Sequence, residues 1–514
     1  MAARTRSLPY HEPDLVTILV HASFLLLLHV AHAALDKVLY CGLLGQLVIG
    51  MAWGPPGAKW LTASVEEAVV QLGYLGLLLL VYQGGLHTSF PSLKANLLLS
   101  AGVALTGICL PIALSYTLQG LLHATPIQAF AAGAALCSTS LGTTFAVLDA
   151  SRLSASRLGV VLTSAAMMDD VVGLVMVQVI SNLGGDHFSW VTAVRPILVS
   201  IAFAAMTPVV CLLLVKPITA RLNRYRDAHP KSGLARILCK SSTAFVNHTL
   251  ILLALVAGAT YAGTSNLFAA YIAGASISWW DSEVPHVVVR EMVDVTSCGT
   301  CIYEHYYHAA VSRMLQPFFF ASIGFSIPLT NMFKGSIVWR GIVYTLLMAF
   351  GKLTCGLWLV RLSLRWGTRG SRVKSLLSRG PVMSIPHLWG KSAKRSPQEV
   401  ATATAPAAAP GPSHGSQRTC CRPPKPFSLH PPLILGLAMC ARGEIGFLIS
   451  GVAEATGVFS SSSEASNEPS DLFLVVTWAI MLCTVMGPLG VGLSVRRVKK
   501  LQGGSGRDVL GVWG

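Results

Sequence analysis

Two adjacent carboxylates, Asp169 and Asp170, sit inside the apolar run LGVVLTSAAMMDDVVGLVMVQVISNL. An ionisable side chain at bilayer depth costs at least about 2.5–3.5 kcal/mol on insertion scales, so it points to function by default. The bland reading of the pair is helix–helix glue. Neighbouring residues point about 100° apart around a helix, so a purely structural role would need two separate partners. Two carboxylates this close in low dielectric cannot both stay ionised cheaply, which suits one of them to hold a proton or exchange it for a hard cation. A site that takes either species but not both is the minimum machinery for exchanging one against the other.

Three more charges lie in apolar surroundings: Lys352 in IVYTLLMAFGKLTCGLWLVRL, and Arg442 with Glu444 in LILGLAMCARGEIGFLISGVAEA. An ammonium buried without a counter-charge is costly, so Lys352 is the natural partner for one of the two carboxylates. Snorkelling to an interface fits poorly with its depth in the run. Arg442 and Glu444 are expected to be structural charges that neutralise each other or steady helix ends, not substrate contacts. His21, His29 and His32 read as packing or interface residues, and Glu454, near a helix end, as facing water.

A membrane fold must position these charges. Of 514 residues, 53% are hydrophobic and 12% charged, with a mean hydropathy of +0.60, whereas soluble domains carry roughly 25% charged residues. The charged shell of a soluble multidomain protein is missing, which excludes that class. Stretches of about twenty apolar residues cross a hydrocarbon core about 30 Å thick. They fall at roughly 14–34, 38–54, 65–86, 95–118, 126–148, 157–181, 191–215, 243–262, 265–280, 313–331, 336–360, 432–456 and 471–494. The fold class is therefore all-α integral membrane, with about thirteen transmembrane helices.

The net charge of +16 would suit nucleic acid, but Lys and Arg fall almost entirely in connecting segments and no reading motif accompanies them. With the N-terminus outside, the inner segments hold 30 of the 38 basic residues and the outer ones 6. That bias predicts an outer or lumenal N-terminus, a cytosolic C-terminus and an odd number of helices. The basic loops can also hold anionic lipid headgroups. The sequon at Asn247 falls on the cytosolic side and is expected to be unglycosylated.

Four segments follow. Residues 1–361 carry the first part of the transmembrane domain and 431–495 its last two helices. Between them 362–430 reads as a disordered basic, Ser/Pro-rich cytosolic loop, and 496–514 is a short cytosolic tail. The stretch 458–470 reads as a polar outer loop. The Cys298–Cys301 CGTC motif and the Cys420–Cys421 pair read as incidental thiols.

Two helices look broken at the same depth. The fifth, AAGAALCSTSLGTTFAVL, carries Ser138, Thr139, Ser140, Gly142, Thr143 and Thr144. The twelfth is interrupted by Arg442, Gly443, Glu444 and Gly446. Clustered hydroxyls and glycine weaken a helix interior, and broken backbone is tolerated at membrane depth where it is buried or lines a cavity. Paired interrupted helices point to a transporter's midplane site. Their odd offset of seven helices requires the two halves to be inverted. Freed carbonyls and the Thr and Ser hydroxyls are hard ligands for a small alkali cation.

At these residues the sequence resembles the monovalent cation:proton antiporter superfamily, in its sodium/hydrogen exchanger branch with an aspartate pair. The resemblance rests on GAALCSTSLGTTFAVL followed by AAMMDDVVGL, then LQPFFFASIGFSIPL leading to AFGK, then CARGEIGFLISG. The long insertion and the segment 281–312 resemble fungal members. The resemblance implies two crossed discontinuous helices within a six-helix core that moves against a dimerisation domain, in a homodimer. It implies that Asp170 is the main cation- and proton-binding carboxylate, that Asp169 pairs with Lys352 until the cation binds, and that Thr139 and Ser140 mark the break. Asp at both positions favours electrogenic exchange.

The sequence thus points to exchange of Na+ or Li+ for protons, with Asp170 and Thr139 as alkali-cation ligands and no cofactor. The rivals are a K+/H+ antiporter of the same superfamily and a non-transporting membrane sensor with this fold. No nucleophile–base pair or metal-ligand spacing supports an enzyme.

Overall fold

A computed structural model describes residues 12–39, 41–88, 90–140, 156–184, 190–229, 241–283, 298–360, 429–460 and 469–505, with Ser232 and Trp513. Among them all regular structure is helical. In chain order the principal helices are α1 (Leu15–Leu39), α2 (Gly42–Trp53), α3 (Ala63–Leu86), α4 (Phe90–Ser115), α5 (Pro126–Ala135), α6 (Arg157–Leu183) and α7 (Trp190–Val210). Then come α8 (Lys216–Ala228), α9 (Ser241–Ala262), α10 (Asn266–Glu283), α11 (Gly299–Tyr306), α12 (Gln316–Phe325), α13 (Gly335–Leu353), α14 (His430–Cys440), α15 (Glu444–Ala455) and α16 (Asp471–Ser505).

Helix lies in every expected apolar stretch, and nine helical runs among the described residues are long and apolar enough to cross a membrane. Three of the other four stretches fall short for identifiable reasons. With 12 residues, α2 is only about 18 Å long. Residues 141–148, the last third of the fifth stretch, which include Gly142, Thr143 and Thr144, lie outside the described residues. The tenth stretch opens on a π-helical turn at Val311–Leu315, and the α-helix that follows, α12, has only 10 residues. Also outside lie 361–428, hence nearly all of the expected 362–430 loop and Cys420–Cys421, and residues 461–468 of the polar loop.

Several boundaries differ from the sequence reading because helix continues where charge begins. A π-turn at Cys211–Val215 joins α7 to α8, so the start of the basic 216–240 segment is helical. The last helix likewise runs to Ser505 through VRRVKK, a stretch two-thirds made of strong helix formers. Lys37 belongs to the last turn of α1. Helix also precedes the tenth stretch, from Gly299, inside the 281–312 segment that resembles fungal members.

The helices form two packed groups. In one, α3 packs on α10 and α12, α2 packs on α1 and α12, and α9 packs on α10. In the other, α4 packs on α5, α6 and α13, α15 on α5 and α6, and α16 on α13 and α14. We call these the panel and the core. They meet where α10 touches α6 and where α12 touches α15, and α7 packs along α6. Every charge singled out in the sequence at membrane depth belongs to the core.

Candidate cation and proton site

The site is built where α5 and the α14–α15 pair each lose their helical backbone. At its start α5 has a capping box, Thr125 with Gln128, but its end has no such closure. The chain leaves the helix at Leu136, and Cys137 to Ser140 are non-helical. Opposite, Ala441–Gly443 are extended between α14 and α15. The two breaks touch directly: the Ser140 backbone N–H donates to the Ala441 carbonyl at 2.9 Å. Gly443 is required here, since a Cβ on it would stand 2.6 Å from Ser140 Oγ.

Two buried cations satisfy the open end of α5. Lys352 Nζ donates to the Cys137 carbonyl at 2.6 Å, and the Arg442 guanidinium donates to the Ser138 carbonyl. Both side chains are 0% exposed. Positive charge at a helix C-terminus is electrostatically favourable and fills carbonyls that would otherwise go unpaired. At the other broken end, Glu444 occupies the first turn of α15, where the helix dipole favours a carboxylate.

Lys352 also reaches Asp169, with Nζ 2.7 Å from Oδ2. Thr139 Oγ1 donates to the same Oδ2 at 3.0 Å and lies 3.0 Å from Nζ. Lys352 is the penultimate residue of α13, just before a 3-10 turn at Thr354–Leu359, so it stands at a local change of helix and not mid-helix. On α4, Gly107 leaves room for the pair: a Cβ there would lie 3.0 Å from Nζ and 3.3 Å from Oδ2.

Asp170, the next residue, is half-buried where Asp169 is fully buried. It forms no ion pair among the described residues. The charges of Glu444, Asp169 and Lys352 act on it, and the Thr139 backbone N–H faces it. Tyr271 of panel helix α10, on which the Asp170 charge acts, has its hydroxyl 3.0 Å from Thr88 Oγ1. Two buried oxygens nearby have no hydrogen-bond partner, Asp169 Oδ1 and Ser140 Oγ. A carboxylate beside unpartnered hydroxyl and carboxylate oxygens is a hard donor set of the kind alkali and other hard cations take.

The structure thus brings Asp169, Asp170, Lys352, Ser138, Thr139, Ser140, Arg442 and Glu444 to one crossing. Of the two structural roles expected of Arg442 and Glu444, their placement fits the steadying of helix ends: Arg442 donates to the Ser138 carbonyl at the end of α5 and Glu444 occupies the first turn of α15. The structure departs from the sequence reading in one place. Glu454 does not simply face water, because it accepts Ser470 N–H at 2.8 Å and the Ser470 hydroxyl at 2.7 Å, which ties α15 to the start of α16. Cys298 and Cys301 are free thiols at the start of α11, and the histidines of α1 lie in the panel. Gly107 and Tyr271 were not legible as site residues, since neither type is unusual in an apolar helix.

Fold and crossing together define a membrane transporter of the broken-helix kind. The sodium/hydrogen exchanger transmembrane family model matches residues 22–409, and the chain belongs to that family. The chain is 27% identical over 311 residues to the "Probable Na(+)/H(+) antiporter GerT" of Bacillus cereus, covering 60% of this chain and 73% of that one. It is 26% identical over 315 residues to the Na(+)/H(+)-K(+) antiporter GerN of the same organism, covering 61% and 72%. The fold matches the structure of the sodium proton antiporter MjNhaP1 from Methanocaldococcus jannaschii at pH 8, with TM-score 0.58 and 13% identity over 94% of this chain and 99% of that one.

Proposed function

We propose that the protein is a secondary antiporter that exchanges Na+ or Li+ for protons through Asp170, electrogenically and as a homodimer. The observation that carries this is a charge imbalance at the crossing. Asp169 has its cation in Lys352 and Arg442 is held on a carbonyl, so the half-buried Asp170 is left beside a second carboxyl, Glu444. Such a group is neutralised either by a proton or by a cation, and both cannot occupy it together. Binding of a cation with Asp169 Oδ1 and the Thr139 and Ser140 oxygens competes with Lys352 for Asp169. Release of that pair supplies the second proton of an electrogenic cycle.

Access then alternates by movement of the core against the panel, with the panel as the dimerisation surface. The N-terminus lies outside or in the lumen and the C-terminus in the cytosol. Residues 362–430 form a cytosolic loop between the two parts of the transmembrane domain, and basic segments meet anionic lipid. The physiological role is cation and pH homeostasis. A relative described as a Na(+)/H(+)-K(+) antiporter supports a second reading in which K+ is also carried.

The test is proton flux in proteoliposomes under gradients of Na+, Li+ and K+, with and without an imposed potential. Asp170→Asn abolishes exchange while the purified protein still folds and dimerises. Full activity in that variant would sink the mechanism.

A further inference from the structure

The CGTC motif at Cys298–Cys301 reads from spacing alone as incidental thiols, but the fold gives it a fixed frame. Cys298 is the N-cap residue of α11, in extended backbone at φ −102° and ψ 131°, and its side chain makes no capping hydrogen bond. Ser, Thr, Asp and Asn lead at such positions because their oxygens accept from orphan N–H groups. Here an oxygen comes from another helix: Asp281 Oδ2, on α10, accepts the Gly299 N–H at 2.7 Å. The Cys298 sulfur is therefore not what closes the start of α11.

Cys301 is the third residue of the same helix. N-cap and third-residue side chains meet across a first turn, which is why a capping box can form its reciprocal bonds. In agreement, Cys298 and Thr300 both act on the Cys301 thiol, and Thr300 Oγ1 lies 2.8 Å from Cys298 Sγ. Gly299, between them, holds the turn against its neighbours: a Cβ there would lie 2.6 Å from Ile277 Cγ2 and 3.0 Å from Leu86 Cδ2. The next two residues, Ile302 and Tyr303, are buried, whereas both cysteines are half-buried free thiols at the rim of that packed face.

We propose that Cys298 and Cys301 form a reversible dithiol–disulfide pair that exchanges with small disulfides of the glutathione type. One thiolate attacks the small disulfide RSSR, forms a mixed disulfide with one SR group and expels RS−. The other thiolate attacks the protein sulfur of that bond, closes Cys298–Cys301 and expels the second RS−. The two protein thiols give up two electrons and two protons, and RSSR leaves as two RSH. Burial and the neighbouring Cys298 hold the Cys301 thiol above its ordinary value, which makes the pair a slow switch and not a catalyst that oxidises other proteins. In the orientation proposed above, the start of α11 faces the cytosol, where the glutathione pool sets the state of exposed thiols.

The test equilibrates the purified full chain, in detergent, with mixtures of glutathione and glutathione disulfide. Samples are quenched in acid, unfolded, alkylated and cut with trypsin. Residues 291–313 then come off as one peptide that contains these two cysteines and no other, so it carries two labels when reduced and none when closed. For an intramolecular disulfide, diluting both forms of glutathione tenfold at constant ratio raises the closed-to-reduced ratio about tenfold, and dithiothreitol reverses the closure. Cys298→Ser and Cys301→Ser each abolish the closed form and give at most a glutathione adduct, which does not respond to the dilution. The synthetic 291–313 peptide, without the frame that α3 and α10 supply, should close about tenfold less in the same buffer, because each thiol meets the other at lower effective concentration. Labels on both cysteines throughout, a glutathione adduct as the main product of the wild-type chain, or equal closure in chain and peptide would each overturn the pair.

Discussion

Lys352 and Asp169 form a 2.7 Å ion pair in which neither side chain is exposed. It bridges α13 and α6 and also reaches the Cys137 carbonyl at the end of α5, so three core helices are tied at one ammonium. The energetic worth of such a pair lies in what happens when it is halved. Both charges have already been taken out of water, and each is tolerable only because of the other.

Removing one partner should therefore cost more than removing both. Lys352→Met alone is expected to destabilise the folded protein by about 3–5 kcal/mol. The double variant Asp169→Asn/Lys352→Met should recover much of that loss, since it leaves no uncompensated charge. Thermal unfolding of the purified proteins in one detergent checks this. A double variant no more stable than the lysine variant alone would show that the pair is not energetically coupled.

Competition at Asp170 fixes the sign of the pH response. The deprotonated carboxylate binds cation and the protonated one does not, so apparent Na+ affinity rises with pH while protons dominate the site, by up to about tenfold per pH unit for one competing proton. At high pH it levels off. The half-saturating Na+ concentration, measured in proteoliposomes at symmetrical pH values, gives this curve directly. A pH-independent value would leave Asp170 without its role as a shared site.

Arg442 should matter for stability before it matters for transport. Its guanidinium fills the Ser138 carbonyl, and its own backbone carbonyl accepts from Thr484 Oγ1 at 3.0 Å, which pins the break to α16. Arg442→Ala leaves a buried carbonyl unpaired and opens a void, at an expected cost of about 2–4 kcal/mol. Arg442→Lys should recover part of it, because an ammonium can cap a carbonyl without the planar fork. Melting temperatures of the two variants, with binding of Na+ measured in parallel, separate loss of fold from loss of site.

Asp169, Asp170 and Lys352 were legible in the sequence because charge inside an apolar run has no soluble-protein excuse. Which aspartate meets the lysine was not legible from spacing, since neighbours on a helix point apart and either could face α13. The resemblance, not the spacing, named Asp169. For Arg442 and Glu444 spacing left two roles open, a mutual pair or the steadying of helix ends, and the choice depends on the non-helical Arg442–Gly443 segment, which sets Arg442 on the Ser138 carbonyl at the end of α5 and Glu444 at the start of α15. The α8 extension was missed because the run was judged by hydropathy, and helix propensity does not stop where the membrane does. Trp513 is buried and stacks on Arg157 at 5.0 Å. Contacts of this kind depend on how distant segments meet, and a single sequence does not carry that.

Gly443 offers the most local test of the crossing. A Cβ there would lie 2.6 Å from Ser140 Oγ and 2.7 Å from Ser140 Cβ, well inside van der Waals contact, so the two breaks must separate to admit it. Separation would lengthen the Ser140–Ala441 hydrogen bond and shift the Thr139 and Ser140 oxygens relative to Asp170. Overpacking of this kind costs about 1–3 kcal/mol. If that cost falls on the cation-bound geometry, exchange slows by roughly tenfold or more. Gly84→Ala is the matched control, since a Cβ at Gly84 meets nothing within 4 Å. Gly443→Ala should therefore lose Na+-driven proton flux while Gly84→Ala keeps it. Equal flux in the two variants would mean that the close approach of the two breaks does not govern the site.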